Sequence, residues 1–99
     1  MEYTEGEIRM ATLIALNASR TGTLTTSQLI LALESFMRPR GKDAQIARDR
    51  SDTYFSQKVR NLISHRDAGT SLMARGLVQY DAVNETLTIT AAGRQACSF

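Results

Sequence analysis

Apolar residues recur at helical spacing in residues 5–19, where they cover more than one face of the predicted first helix. Thr4 and Glu7 have the spacing of a capping box, so we expect this helix to begin near Glu5 and to end near Ser19. A small domain seldom covers one helix on all sides. This favours a partner subunit that packs against the remaining side of the first helix. The apolar residues on one side are Ile8, Ala11 and Ala15, and those on other sides are Met10, Leu13 and Ile14.

A second amphipathic stretch begins after Gly22 and a short segment, "GTL", that we expect to be extended. Thr25 and Gln28 repeat the capping-box spacing at its start. Pro39 ends this helix, because proline disfavours helical geometry at the residue before it. Residues 39–51 are charged and show little periodicity.

The third predicted helix covers residues 53–66, and its two sides differ sharply in chemistry. One side is an apolar stripe formed by Phe55, Val59, Leu62 and Ile63. Ser51 or Asp52 is placed to cap its first turn. The opposite side has no carboxylate and carries Thr53, Gln57, Arg60, Asn61 and Ser64.

The period of the pattern changes to two near the end of the chain. "SLMARGL" predicts one more short helical stretch, closed by Gly76. "LVQYD" and "TLTIT" then predict a β-hairpin with Leu87 and Ile89 on one face and threonines on the other. "TAAGRQAC" predicts a last helical turn. The chain is therefore expected to be one α+β domain spanning residues 1–99, mostly helical.

Composition narrows the class of protein. Of the 99 residues 42% are apolar and 22% charged, as in ordinary folded proteins. We expect no signal segment, because the chain opens with several glutamates, and no membrane span, because its apolar runs are short. A single cysteine and a single histidine exclude an internal disulfide and a Cys/His metal site within one chain. These features indicate a reduced compartment, the cytoplasm.

The net charge of +2 is unevenly distributed. Nine Lys or Arg and four Asp between Arg38 and Arg75 give +5, whereas the rest of the chain carries −3. Such an asymmetry favours a polyanionic partner. A solvated polar loop is an equally good interpretation of the charge alone, because much of the excess lies in "RPRGKDAQIARDR".

The stretch "ARGLVQYDAVNETLTITAAGR" resembles the winged helix-turn-helix family, and the resemblance extends from about Glu7 to Gln95. "VRNLISHR" together with "LTITAAGR" is similar to winged helices attached to Mrr-type and other bacterial restriction endonucleases. The resemblance implies three helices followed by a short C-terminal β-hairpin, the wing. It also implies that the helix over 53–66 lies in the DNA major groove and that the wing touches the neighbouring backbone or minor groove.

The residues themselves suit such contacts. Gln57 and Asn61 can each bind adenine through two hydrogen bonds, and Arg60 can bind guanine. Thr53 or Ser64 can contact a phosphate or a thymine methyl group. The alternative is that these are simply exposed helix residues. Candidate phosphate contacts on the flanks of the helix are Arg50, Lys58 and Arg66.

Two features depart from the family pattern. About a dozen residues, 39–51, replace the usual tight turn between the second and third helices. The predicted wing contains Asp81 and Glu85 and no Lys or Arg, so phosphates would repel it. We therefore expect the basic segment with Arg38, Arg40 and Lys42 to bind the DNA backbone in place of the wing.

No catalytic set can be assembled from the sequence. His65 is better explained by a structural role or a phosphate contact, and Cys97 by an incidental thiol. We expect no enzyme activity, no cofactor, no metal and no small-molecule ligand.

The preferred interpretation is a bacterial transcription regulator that binds specific double-stranded DNA as a homodimer, through the helix over 5–19, and is associated with the nucleoid. One alternative is a winged-helix adaptor or antiactivator that binds an acidic protein surface. Another is the DNA-specificity module of a restriction system.

Overall fold

The computed structural model describes residues 3–38 and 54–97, and these form an α+β fold with a three-stranded antiparallel sheet. The fold class agrees with the prediction from the pattern. The helices and strands in chain order are α1 (Glu5–Ala18), β1 (Thr23–Thr25), α2 (Thr26–Met37), α3 (Tyr54–Ser64), β2 (Val78–Asp81), β3 (Thr86–Ile89) and α4 (Ala91–Ala96).

Both predicted capping boxes are confirmed. The Thr4 hydroxyl accepts a hydrogen bond from the Glu7 amide at 3.2 Å, and the Glu7 carboxylate accepts one from the Thr4 amide at 2.9 Å. Thr25 and Gln28 make the same reciprocal pair at the start of α2. These bonds satisfy amide donors that the first turn of a helix leaves without partners. At the other end of α2, Arg38 adopts a left-handed conformation with φ 49°.

The sheet has the strand order β1-β3-β2, so β3 is central and bonded on both edges. Leu87 pairs with Leu24 on β1 and with Tyr80 on β2. Leu87 and Ile89 are buried, as the alternating pattern predicts. On the opposite face, the hydroxyls of Thr23 and Thr88 are 2.9 Å apart and hydrogen-bonded.

A single core joins the three long helices to one face of the sheet. α1 packs against α2, α3, α4 and β3, which explains why it is apolar on several sides. The largest side chains that are almost completely buried are Ile8, Leu16, Leu29, Leu33, Phe55, Val59, Val78 and Leu87.

The prediction of a short helix in "SLMARGL" is corrected to a single helical turn. The Ser71 hydroxyl accepts from the Ala74 amide at 3.0 Å and caps the turn at its start. At its end Gly76 has φ 74°, and the Leu77 amide donates to the Leu72 carbonyl at 2.9 Å. Glycine thus closes the turn as predicted, since it adopts positive φ at little cost. Caps this close together leave room for one turn only.

A second correction concerns Leu13, which the pattern places on a side of α1 that could face a partner. It is only 3% exposed and lies in the core cluster together with Cys97. α1 packs against α2, α3, α4 and β3, and Leu13 belongs to the core that these elements share. Substitution of Leu13 would therefore disturb the core of one subunit.

Several predictions concern residues outside the described ranges. These are the basic residues Arg40, Lys42 and Arg50, the caps at Ser51 or Asp52, and the contact at Thr53. The predicted end of the second helix is confirmed, because α2 ends at Met37 and Arg38 is not helical. Within residues 3–38 and 54–97, no helix combines the length and apolar character needed to cross a bilayer.

Gly93 marks a close approach between α4 and the chain before β2. A Cβ at this position would lie 2.2 Å from the Leu77 carbonyl oxygen and 2.6 Å from an Ile89 side-chain carbon. We expect Gly93→Ala to lower the free energy of unfolding by about 1–3 kcal/mol, the usual cost of overpacking. Urea denaturation followed by circular dichroism measures this change. Gly69→Ala is the control, because no atom lies within 4 Å of its Cβ position; an equal loss in both variants would contradict the packing explanation.

Candidate nucleic-acid interface

α3 has one side buried in the core and the other turned outward. Phe55 and Val59 are 0% exposed and Leu62 is 8% exposed, while Ile63 is half-buried beside them. This side contacts both α1 and α2. A helix packed in this way cannot rotate about its axis without exposing the stripe, so its outward side has a defined direction.

The outward side carries the predicted base-contact residues. Gln57 and Asn61 are half-buried and lie one turn apart, whereas Arg60 and Ser64 are exposed. The structure therefore brings together four of the five residues predicted for this face. The fifth, Thr53, lies outside the described residues.

Lys58 lies on the flank of α3 that faces the start of the chain. Its ammonium group donates a hydrogen bond to the Tyr3 carbonyl at 3.1 Å. The Tyr3 ring packs edge-on against Phe55, with ring centroids 6.1 Å apart, and its hydroxyl donates to the Met37 carbonyl. This bond holds Lys58 in a defined position at the edge of the interface.

Arg66 is held at the C-terminal end of α3 by two contacts. Its guanidinium donates to the Ile63 carbonyl at 2.9 Å and lies over the Tyr80 ring, 5.3 Å from the centroid. The arginine side chain remains exposed. A cation–π contact of this kind positions the guanidinium without neutralising it. Sequence analysis missed Tyr80 as the partner, because residues on different elements show no local spacing signal.

Next to Arg66, an open groove of about 590 Å³ runs between the end of α3 and β2. Its walls are mixed in polarity and include both an arginine and a tyrosine. The lining residues are Arg66, Asp67, Met73, Ala74, Val78, Gln79 and Tyr80.

The tip of the β-hairpin is acidic and internally hydrogen-bonded. The Asp81 carboxylate accepts from the Val83 amide at 2.9 Å and from the Asn84 side-chain amide at 2.8 Å. The bonds from Asn84 and Val83 hold the pKa of Asp81 below its ordinary value. Val83, which lies between Asp81 and Glu85 in the chain, is 90% exposed.

Glu85 connects the hairpin to α2. Its φ of 53° turns the backbone so that its carbonyl accepts from both the amide and the hydroxyl of Thr26, at 2.9 and 3.2 Å. The two acidic residues of the hairpin are thus held in place by the fold. Arg38, at the opposite end of α2, is exposed.

His65 and Cys97 lie in different surroundings. His65 Nδ1 is 3.8 Å from a carboxylate oxygen of Glu5, and both side chains are largely exposed. Cys97 is a free thiol buried at the edge of the core. Among residues 3–38 and 54–97, no three His, Cys, Asp or Glu side chains are grouped as a metal ion requires.

Comparison of the chain with protein-family models, with curated proteins and with solved structures finds no match.

The hydrogen bonds at the hairpin tip predict how Asp81 titrates. Because the folded state favours the carboxylate, its folded pKa should lie below 3.8. The stabilisation is present above the unfolded pKa and is lost as the pH falls through the folded pKa. NMR titration of the Asp81 carboxyl carbon should show this, and Asn84→Ala should move the pKa back up. The same carboxyl in urea-unfolded protein is the control; identical folded and unfolded titrations would contradict the prediction.

Proposed function

We propose that the chain is a winged helix-turn-helix protein that binds specific double-stranded DNA through α3 and regulates transcription as a homodimer. The observation that carries the proposal is the outward side of α3, which combines two carboxamides, a guanidinium and a hydroxyl with no carboxylate. The order of helices and strands, in which the hairpin of β2 and β3 follows α3, supports the same assignment.

The chemistry of this side suits the edges of base pairs. The major groove is about 12 Å wide and admits one α-helix. Gln57 and Asn61 can each bind adenine N6 and N7, and Arg60 can bind guanine O6 and N7. Because Gln57 and Asn61 are half-buried, they have fewer conformations to lose on binding DNA. A merely solvated helix face has no need of such a set of groups.

Cations near α3 supply the contact with the phosphate backbone. Lys58 and Arg66 flank its outward side and are positioned by contacts within the fold. The acidic hairpin does not suit the phosphate contact of an ordinary wing. We assign that contact instead to the basic residues that follow α2, namely Arg38, Arg40 and Lys42.

A second candidate function is favoured by the hairpin tip. Val83 is 90% exposed between two acidic residues on a turn held by hydrogen bonds. Such a tip suits an apolar recess with a basic rim on another protein, a partner different from the acidic surface that the sequence favours for an adaptor. Retention on heparin and salt-sensitive binding of generic duplex DNA separate the two functions, because only the first requires a polyanion.

The DNA-binding proposal predicts different effects for base-contact and phosphate-contact residues. Arg60→Ala and Asn61→Ala should each weaken binding to the preferred site by about 1–3 kcal/mol and relax its specificity. Arg66→Ala should weaken all sequences alike and reduce the salt dependence. Fluorescence anisotropy with specific and scrambled duplexes measures both effects.

Gln95→Ala is the control for these variants, since Gln95 is exposed on α4. If Arg60→Ala combined with Asn61→Ala leaves affinity for the preferred site unchanged, α3 does not contact the bases.

The distribution of charge yields a further prediction. Replacement of Arg38, Arg40 and Lys42 by Gln should flatten the plot of log affinity against log salt by about 0.9 for each phosphate that the protein no longer neutralises. Glu85→Gln should strengthen binding to generic DNA, because it removes repulsion at the hairpin. Glu34→Gln on α2 is the control for Glu85→Gln, because both variants have the same net charge. Unchanged affinity in the triple variant would contradict the assigned role of the basic segment.

A further inference from the structure

The outer surface of α1 carries a narrow stripe that the core formed by residues 3–38 and 54–97 leaves uncovered. Glu7, Met10, Ile14 and Asn17 follow one another at intervals of three, four and three residues. Met10 is 44% exposed, Ile14 is half-buried, and the two polar residues are exposed. Residues at alternating spacings of three and four line one side of a helix, and two helices can pack together along such sides.

The stripe is complementary to itself when two copies of α1 run antiparallel. A two-fold axis at the level of residue 12 brings Met10 against the partner's Ile14 and Ile14 against the partner's Met10. The same axis brings Glu7 against the partner's Asn17. The Asn17 amide oxygen already accepts from Arg94 at 3.0 Å, so its N–H groups are left to donate to a carboxylate. Apolar residues thus meet apolar residues, and an acceptor meets a donor.

α2 extends the apolar surface beside the stripe. Phe36 lies at the end of α2 and is 61% exposed, although it continues the apolar stripe of that helix. An open groove of about 580 Å³ between α1 and α2 is lined by Met10, Ile14, Phe36 and Met37 among others. In a two-fold dimer the same contact occurs twice. The Phe36 ring of each subunit can pack beside the groove between α1 and α2 of the other subunit.

We infer that a second copy of this chain occupies the surface formed by Met10, Ile14 and Phe36, with the two α1 helices antiparallel across a two-fold axis. Such a dimer presents two copies of α3 to DNA. In this respect the inference rests on the proposed DNA-binding function. A two-fold pair of this kind requires a pseudo-palindromic operator with half-sites roughly 34 Å apart.

Sedimentation equilibrium at micromolar concentration tests the surface directly. The wild-type protein should have twice the 10.9 kDa mass of one chain, and Met10→Glu or Phe36→Glu should have the mass of one chain. Leu31→Glu is the matched control, because Leu31 is an exposed apolar residue on the other side of α2, 68% exposed. It should remain dimeric. A monomeric wild type, or a Met10→Glu variant with an intact circular dichroism spectrum that still dimerises, would overturn the inference.

Disulfide cross-linking tests the direction of the two helices. Glu7→Cys and Asn17→Cys proteins, each with Cys97→Ala, are mixed and treated with oxidised glutathione, which takes up the two electrons released by the thiols. The mixture should form a cross-linked dimer, whereas neither protein alone should do so efficiently. Efficient cross-linking of Glu7→Cys with itself would indicate parallel helices and would refute the antiparallel pair.

DNA binding separates failure of this inference from failure of the proposed function. Met10→Glu should keep salt-sensitive binding to generic duplex DNA but lose affinity for a two-half-site operator. Arg60→Ala with Asn61→Ala should lose specific binding and remain a dimer. A dimer without any DNA binding would leave the α1 surface established and refute the DNA-binding function.

Discussion

Burial of the apolar stripe of α3 is the interaction on which the proposed interface depends. Phe55 and Val59 are completely covered by the core that α3 shares with α1 and α2. Each such side chain contributes roughly 1.5–3 kcal/mol, so the stripe accounts for a large part of the margin by which a small domain is stable. Rotation of α3 would forfeit that burial. Gln57, Arg60 and Asn61 are therefore presented in one fixed direction, as a rigid docking surface needs.

The charges around α3 are positioned by the fold as firmly as its polar side. Cation–π stacking on Tyr80 holds Arg66, and the start of the chain holds Lys58. On the hairpin, hydrogen bonds keep Asp81 and Glu85 in place as a separate acidic region. Under the proposed function, a polyanion would be attracted to α3 and repelled from the hairpin tip. The proposed interface therefore differs from that of a winged helix that contacts DNA with both its recognition helix and its wing.

Interactions between residues close in the chain could be predicted from sequence with little error. Thr4 and Thr25 cap their helices through partners three residues away. The turn that ends at Gly76 is likewise closed by hydrogen bonds between residues close in the chain. The face that joins Gln57 to Asn61 follows from the helical period alone. The predicted helix in "SLMARGL" became a single turn because its caps lie too close together, which is also a local effect.

Sequence by itself thus determined the fold class, the helix starts, the hairpin and the polar face of α3, because each depends on neighbours within a few residues. The tertiary structure alone decided which distant groups meet. The bond from Lys58 to Tyr3 spans 55 residues, and α4 packs against α1 from the far end of the chain. Periodicity shows that α1 is apolar on several sides, but only packing selects which side stays open. Which side of α1 stays exposed depends on where α2, α3, α4 and the sheet pack against it. No local sequence pattern encodes these positions.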